Sequence, residues 1–342
     1  MPTAVVKKRI IVRLVAGLFL VALGGVSGYL LTAKHYAGIL DSINLTLDTS
    51  TPYSLMRPLL LVSVPSTFTQ GAFDGLRKEV STIADSQKPT VMNRYSFYVR
   101  DLTDGRWMGI NENDHYDPGS LLKVVAAIAA YKQEQNSPGF FSEKFTYTND
   151  LANVNAQFPF APPVSLNVGQ SYNMTTLIKE MLSDSDNAAK DTILSAIDPR
   201  VLGSIYTDLS VPKPDDANSA GYTISAYDYS RFFRILYYGT YDIPWTYSNE
   251  LLQDLSQSTF VDGLVAGVPS GTAVAHKFGE HVEPKTGGTL LVELSDCGIV
   301  YHPQHPYFIC VMTEGPDESA LATVIAQMSK ASYRFVDGLP TQ

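Results

Sequence analysis

The sequence has little cysteine and few basic residues, and each shortage excludes a class of protein. Two cysteines in 342 residues cannot build a disulfide scaffold, and no CxxC pair suggests zinc ligands. Lys and Arg number 25 against 34 Asp and Glu, and no long basic run follows the N-terminus, which argues against binding to nucleic acid. Hydrophobic residues nevertheless make up 45% of the chain, which is typical of a folded globular protein.

One long apolar run lies near the N-terminus. Residues 14–31 contain no charge, and eighteen residues of helix span ~27 Å, close to the ~30 Å core of a bilayer. Four basic residues precede this run, so the positive-inside rule predicts a cytoplasmic segment at 1–13, a membrane anchor at 14–33 and a cell-membrane protein whose remainder lies outside the cytoplasm. A cleaved signal peptide is the alternative, although its apolar region is normally only ~7–15 residues long.

Two segments follow the apolar run. Residues 34–69 are polar and rich in Ser and Thr, which indicates a stalk, and residues 70–342 have the pattern of one compact domain. Helical spacing of apolar residues occurs at 71–87, 174–238 and 318–335, with a wholly apolar helix at 121–131. Strand patterns occur at 95–102, 106–110, 274–278, 297–301 and 307–312. We therefore predict an α+β fold, an antiparallel sheet flanked by N- and C-terminal helices with an all-helical lobe, preceded by one transmembrane helix.

A serine and a lysine lie one turn apart at the start of the apolar helix. Ser120 and Lys123 share a helix face, so the lysine ammonium can reach the serine hydroxyl. A lysine whose pKa is lowered by burial can act as the base that a serine nucleophile needs. The alternative is a serine N-cap followed by a lysine that extends to solvent.

Two further polar clusters follow. Ser185, Asp186 and Asn187 come after a helical stretch and offer a relay hydroxyl and an amide, or simply a polar turn. Lys277 and Gly279 end a strand pattern, where a glycine allows close approach of a substrate backbone and a lysine can anchor a carboxylate. An ordinary β-turn is the alternative there.

In this order the three clusters resemble the S-x-x-K, S-D-N and K-T-G motifs of class A β-lactamases and related penicillin-recognising serine enzymes. The resemblance extends over residues 70–336. It implies that Ser120 is acylated, Lys123 exchanges its proton, and Ser185 relays a proton to the leaving group. It also implies that Asn187 and Lys277 bind substrate amide and carboxylate.

The resemblance also assigns the oxyanion hole to the backbone N–H groups of Ser120 and Glu280, with Gly279 between the lysine and Glu280. The third motif departs from the family because Phe278 stands where a hydroxyl residue is expected. A second candidate, residues 285–287, has the letters K-T-G, but the strand pattern that ends at Lys277 makes Lys277 the better match.

The deacylating glutamate of class A β-lactamases is missing. No Glu occurs between Glu180 and Glu250, and Asp215 and Asp216 are the only adjacent carboxylates in that window. They are a possible deacylation base or, as we favour, solvated loop residues. We therefore expect fast acylation by β-lactams and slow release of the acyl group.

The resemblance favours a membrane-anchored, monomeric serine hydrolase that opens β-lactam rings. One alternative is a D-Ala-D-Ala carboxypeptidase or transpeptidase, which shares the acylation chemistry and takes a D-Ala-D-Ala peptide. Another is a non-catalytic domain that binds muropeptides or antibiotics. Acylation of Ser120 would separate the enzymes from the binding domain, and turnover would separate the two enzymes.

Metals and other cofactors are not expected. The chain has six histidines, and His302 and His305 fall in a proline-containing hairpin turn without nearby carboxylates. The sequence has no G-x-S-x-G motif and no phosphate loop. Cys297 and Cys310 face each other across the same hairpin, where Cβ atoms of opposed residues are ~4.5–5.5 Å apart, so we predict two free buried thiols.

Overall fold

This computed structural model describes residues 45–47, 51–62, 73–88, 90–148, 160, 166–215, 221–284 and 290–339. The chain divides into two units, one of residues 45–61 and 70–342, the other of residues 1–44 and 62–69. Only Val62 of the second unit is described. The predicted anchor at 14–33 therefore lies outside the described residues. Within them, no helix combines the length and the hydropathy that a bilayer crossing requires.

Eleven strands and eight α-helices are present among the described residues. The strands are β1 Leu45–Leu47, β2 Leu59–Val62, β3 Arg94–Asp101, β4 Trp107–Ile110, β5 His115–Tyr116, β6 Lys144–Thr146, β7 Ser171–Asn173, β8 Ile224–Ser225, β9 Val274–Pro284, β10 Leu290–Val300 and β11 Tyr307–Gly315. The helices are α1 Asp74–Gln87, α2 Lys123–Asn136, α3 Met174–Ser183, α4 Asn187–Ala196, α5 Pro199–Asp208, α6 Ala226–Tyr238, α7 Trp245–Leu255 and α8 Glu318–Asp337.

The main sheet has five antiparallel strands in the order β4-β3-β11-β10-β9. Side chains alternate between its faces, as the pleat of a strand requires. On β3, Phe97 and Val99 pack against the terminal helices α1 and α8. Tyr98 packs instead against the helical lobe, which the chain forms between α1 and α8 in sequence. The predicted α+β architecture is confirmed. Strands β9 and β10 extend further than predicted, since backbone pairing continues through their charged residues.

The helical lobe is organised around α2, which is buried on all sides from Lys123 to Tyr131, as the apolar sequence predicts. Most of its other helices begin at a side chain that accepts a backbone N–H of the first turn, the usual role of Ser, Asp and Asn at an N-cap. These caps are Asn173 for α3, Asp186 for α4, Asp198 for α5 and Ser225 for α6.

Part of the segment predicted as a stalk packs on the domain. Met56 is fully buried in the core of the helical lobe. The Leu55 amide donates to Asn249 Oδ1 at 3.2 Å, and Leu55 O accepts the Tyr301 hydroxyl at 2.7 Å. Residues 53–59 therefore extend the compact unit N-terminally beyond the expected boundary at residue 70.

The two cysteines form a disulfide, so the prediction of two free thiols is wrong. Cys297 and Cys310 are directly opposed in the register of β10 and β11, as the hairpin predicts. Their Cα atoms are only 4.0 Å apart, closer than the ~4.5 Å of a close cross-strand pair. This local approach of the two strands brings the sulfur atoms within bonding distance.

The β10–β11 turn holds both histidines against carboxylates, contrary to expectation. His305 Nδ1 lies 3.1 Å from Asp101 Oδ2, and His302 Nε2 lies 3.3 Å from Asp337 Oδ1. These acidic residues come from β3 and α8. Both segments are distant from the turn in sequence, so the sequence alone does not predict these contacts. In the part of the chain that the structure describes, no three potential metal ligands come together.

Candidate active site

Ser120 lies in a 3₁₀ turn, Gly119–Leu122, directly before α2. Its side chain is half-buried. Gly119 has a φ of +47°, a conformation that L side chains rarely adopt, and a Cβ at this position would lie 2.4 Å from Glu280 O. The Tyr229 hydroxyl donates to Leu121 O at 2.9 Å from the lobe side. The turn is therefore held between β9 and α6.

The residues before this turn are fixed by acidic side chains. Glu293 on β10 accepts the Asp117 amide at 2.6 Å, and Asp117 in turn accepts the Gly119 amide at 2.8 Å. Arg94 on β3 donates to Glu293 at 2.5 Å and so orients its carboxylate. The sheet thus positions the loop that carries Ser120.

Lys123 is buried and directed at the S-D-N segment. Its Nζ donates to Ser185 O at 2.5 Å and to Ser185 Oγ at 2.9 Å. The alternative of a lysine that extends to solvent is therefore wrong. Burial lowers the pKa of Lys123 well below its ordinary value, and the charges of Lys277 and Lys190 lower it further, against Asp186 and Glu280, which raise it.

Ser185 joins the two lysines of the site. Its Oγ also accepts Lys277 Nζ at 2.9 Å, so both lone pairs of the hydroxyl are used and its proton remains available for donation. The residue has a φ of +57°, which is strained for a side chain other than glycine. Strained backbone of this kind clusters at functional sites.

The next two residues begin α4. Asp186 accepts the amides of Ala188 and Ala189 at 2.8 and 3.0 Å as the N-cap, and accepts the Tyr147 hydroxyl at 2.8 Å. Its role in the local fold is therefore a helix cap, which accounts for the polar turn. Asn187 is half-buried at the first position of the helix.

Lys277 lies on β9 with a side chain that is fully buried. Burial lowers its pKa to about 7, while Asp296 and Glu280 raise it. Gly279, two residues on, faces the Ser120 turn so closely that a Cβ there would lie 2.2 Å from Pro118 O. Strand β9 and the Ser120 turn are thus in direct backbone contact, which places the Glu280 backbone against Gly119.

The Phe278 side chain packs in the core beside α1 and α8. Its ring stacks on Phe260 at a centroid distance of 4.4 Å, and Lys277 Nζ lies 4.1 Å from the Phe278 centroid. The competing K-T-G sequence at 285–287 falls between β9 and β10 and outside the described residues.

The two candidate deacylation residues differ in what the structure shows of them. Asp215 is exposed on the loop that follows α5, as expected for a solvated residue. Asp216 lies outside the described residues. The carboxyl groups that act on Lys123 are instead Asp186 and Glu280.

Two residues that contact the site were not predicted from the sequence. Tyr147, which contacts Asp186, comes from the β6 region, and Glu318, which contacts Glu280, begins α8. Neither is near a motif in sequence, so no local signal was available. The N-cap role of Asp186 was detectable, because an Asp directly before an apolar helical pattern is a helix-start signal.

Solved structures share this fold at low sequence identity. A variant of PBP-A, solved as an acyl-enzyme complex with penicillin G, is 18% identical with a TM-score of 0.60, and the match covers 77% of this chain and 98% of PBP-A. A β-lactamase from Xanthomonas campestris pv. campestris is 19% identical with a TM-score of 0.62, covering 78% and 98%. A class A β-lactamase from Mycobacterium abscessus is 17% identical with a TM-score of 0.61, covering 76% and 100%.

The sequence itself matches a family over most of its length. Residues 75–336 match the β-lactamase enzyme family. The chain therefore belongs to this family, as the order and spacing of the three motifs predicted. Among curated proteins, none matches the sequence.

Proposed function

We propose that this protein is a serine acyl hydrolase that opens β-lactam rings through an acyl-enzyme on Ser120. The observation that carries the proposal is the Ser185 hydroxyl, which accepts from both buried lysines beside the turn that bears Ser120. Buried lysines whose pKa values are lowered by burial, and which share one hydroxyl acceptor, are typical of a site that transfers protons.

Acylation follows from this arrangement. Lys123, neutral in part because burial lowers its pKa, takes the proton from Ser120 Oγ as the oxygen attacks the lactam carbonyl. The backbone N–H groups of Ser120 and Glu280 stabilise the oxyanion. The C–N bond then breaks, and the nitrogen receives the Ser185 proton, which is replaced through the Lys123 ammonium. Asn187 binds the substrate amide.

Release of the acyl group is the step at which a second candidate function competes. Of the two candidate deacylation bases, Asp215 is the described one, and it is exposed on a loop. An exposed loop residue is a poor candidate for the base that deacylation needs, which favours a D-Ala-D-Ala carboxypeptidase or transpeptidase with slow hydrolysis. The PBP-A variant with this fold was trapped as an acyl-enzyme with penicillin G. General-base assistance is worth ~10²–10⁴-fold, so its loss would let the acyl-enzyme accumulate.

Mass spectrometry over time tests the proposal directly. Incubation with penicillin should add one acyl group within the first measurements and lose it slowly. Ser120→Ala should abolish the adduct while the variant keeps its fold, because the side chain is small and half-buried. Undiminished labelling of the Ser120→Ala variant would remove Ser120 from the mechanism. A native protein that never acylates would instead support a non-catalytic binding domain.

We also propose that the protein is a monomer and that residues 14–33 anchor it in the cell membrane with the catalytic domain outside the cytoplasm. The uncharged run and its basic flank support the anchor and its orientation. Expression of the full chain followed by carbonate extraction and protease accessibility of the intact cells would test it.

A further inference from the structure

Helix α6 packs on strand β3 near the edge of the main sheet that lies opposite to β9. Two contacts fix how the helix crosses the strand. The rings of Tyr98 on β3 and Tyr227 on α6 meet edge to face at a centroid distance of 5.8 Å. Further along, the Tyr238 hydroxyl of α6 donates to Leu102 O, one residue past the end of β3, at 2.9 Å. The lobe face of β3 therefore runs along one stripe of α6.

One arginine from each element lies between these two contacts. Arg100 follows Tyr98 by two residues on β3 and so shares the lobe face of the sheet. Arg234 follows Tyr227 by seven residues and precedes Tyr238 by four, and both spacings keep to one helix face. The two guanidinium groups are thus brought together. Burial lowers the pKa of Arg234, and the nearby charge of Arg100 lowers it further.

No acidic residue neutralises this pair within the described ranges. The basic residues that form ion pairs there do not include Arg100 or Arg234. Asp101, which follows Arg100, belongs to the opposite face of the strand. Its Oδ1 accepts the Thr103 amide at 2.7 Å, and its Oδ2 lies 3.1 Å from His305 Nδ1. Two like charges therefore meet without a protein counter-charge.

Donors around the pair lack acceptors as well. Nε of Arg100, Nε of Arg234 and the hydroxyl of Tyr98 are all buried without a hydrogen-bond partner among the described residues. Both arginine side chains are half-buried, and Tyr98 has no exposed surface. An uncompensated charge and an unsatisfied donor each cost free energy in such an interface. The missing partner is therefore a group that carries negative charge and several acceptor atoms.

We propose that Arg100 and Arg234 bind a tetrahedral oxyanion such as phosphate at this edge of the sheet. Each guanidinium presents a planar fork of N–H donors that matches two oxygen atoms of one ligand. A tetrahedral oxyanion has four oxygen atoms and can serve both forks, whereas a carboxylate has only two. The Ser120 turn packs on β9 at the opposite edge, so this inference is independent of the proposed function.

Calorimetric titration of the full chain with inorganic phosphate tests the proposal. The protein is kept in a non-ionic detergent and a chloride buffer of constant ionic strength, so that general screening does not change during the titration. We expect one phosphate to bind with a dissociation constant of about 1 mM or lower. Acetate, which offers a single carboxylate, should bind at least about tenfold more weakly.

Variants of the two arginines locate the bound anion. Arg100→Gln and Arg234→Gln should each weaken phosphate binding at least about tenfold, because each removes charge-assisted hydrogen bonds. Arg234→Lys keeps the charge but loses the fork, so it should weaken binding as well. The matched control is Arg200→Gln, which makes the same charge change at an exposed arginine paired with Asp198 and should bind phosphate like the native protein. Thermal unfolding shows whether each variant is folded, and Arg234→Lys decides if a glutamine variant is not.

Several outcomes would overturn the inference. Native protein that does not bind phosphate, or that binds acetate equally well, would do so directly. Unchanged affinity in either folded glutamine variant would place the anion elsewhere, for instance at the lysines of the active site. An equal loss of affinity in Arg200→Gln would show a general effect of net charge. None of these results bears on acylation of Ser120.

Discussion

The backbone contact between β9 and the Ser120 turn can be perturbed by one methyl group. In Gly279→Ala, the new Cβ would lie 2.2 Å from Pro118 O and 2.9 Å from Leu121 Cγ, whereas ordinary contacts begin at 3.4 Å. The two segments would therefore have to separate by 3.4 − 2.2 = 1.2 Å. The Pro118 carbonyl cannot rotate away, because it belongs to the backbone.

The expected cost follows from the position of Gly279 between nucleophile and oxyanion hole. A displacement of about 1 Å in a reacting site can lower a rate about 100-fold, and overpacking costs ~1–3 kcal/mol of stability. We expect Gly279→Ala to fold, to unfold at lower temperature and to be acylated about 100-fold more slowly by a fluorescent penicillin.

The matched control is Gly203→Ala. Gly203 lies in helix α5, and an added Cβ there would have no neighbouring atom within 4 Å, so the same chemical change meets open space. Alanine in a helix is ~1 kcal/mol more favourable than glycine, so this variant should be slightly more stable and acylate normally. A folded Gly279→Ala protein that acylates at the native rate would refute the argument that this contact positions the site.

Three further predictions concern protonation, release and the disulfide. Lys277→Met removes a charge that lowers the pKa of Lys123, so the rising limb of the plot of acylation rate against pH should move to higher pH. Lys190→Met should move this limb less, and a shift to lower pH in either variant would contradict the prediction. Replacing Asp215 and Asp216 together by Ala should change acyl release by less than about tenfold in a pre-steady-state experiment, and a larger loss would identify a base. Thiol titration of the denatured, unreduced protein should detect no free thiol, and two thiols would contradict the disulfide between Cys297 and Cys310.

The sequence predicted what depends on local periodicity. The buried helix after Ser120, the hairpin of β10 and β11 and the C-terminal helix all follow from apolar spacing within a single segment. The register of Cys297 against Cys310 followed from the symmetry of the hairpin. Their bond did not, because it depends on how closely the two strands approach, which periodicity does not specify.

Contacts between distant segments could not be predicted in the same way. Glu318 meets Glu280 because α8 returns across the sheet, and Met56 is buried because residues 53–59 cover the helical lobe. The polar, Ser/Thr-rich composition of the N-terminal segment suggested a stalk, yet a few apolar side chains are enough to attach it. Composition averages over a segment, whereas packing depends on individual residues.

The buried lysines give the strongest physical reason to regard the site as catalytic. Moving an ammonium from water to a protein interior costs several kcal/mol unless a carboxylate pairs with it. Within the described ranges, no carboxylate forms an ion pair with Lys123 or Lys277, whose hydrogen-bond partners are oxygen atoms of Ser185 and Phe278. The least costly state is therefore one in which a lysine gives up its proton, and a neutral lysine beside Ser120 is a base. Burial therefore disfavours the protonated form of the lysine, and the neutral amine that results can activate the serine.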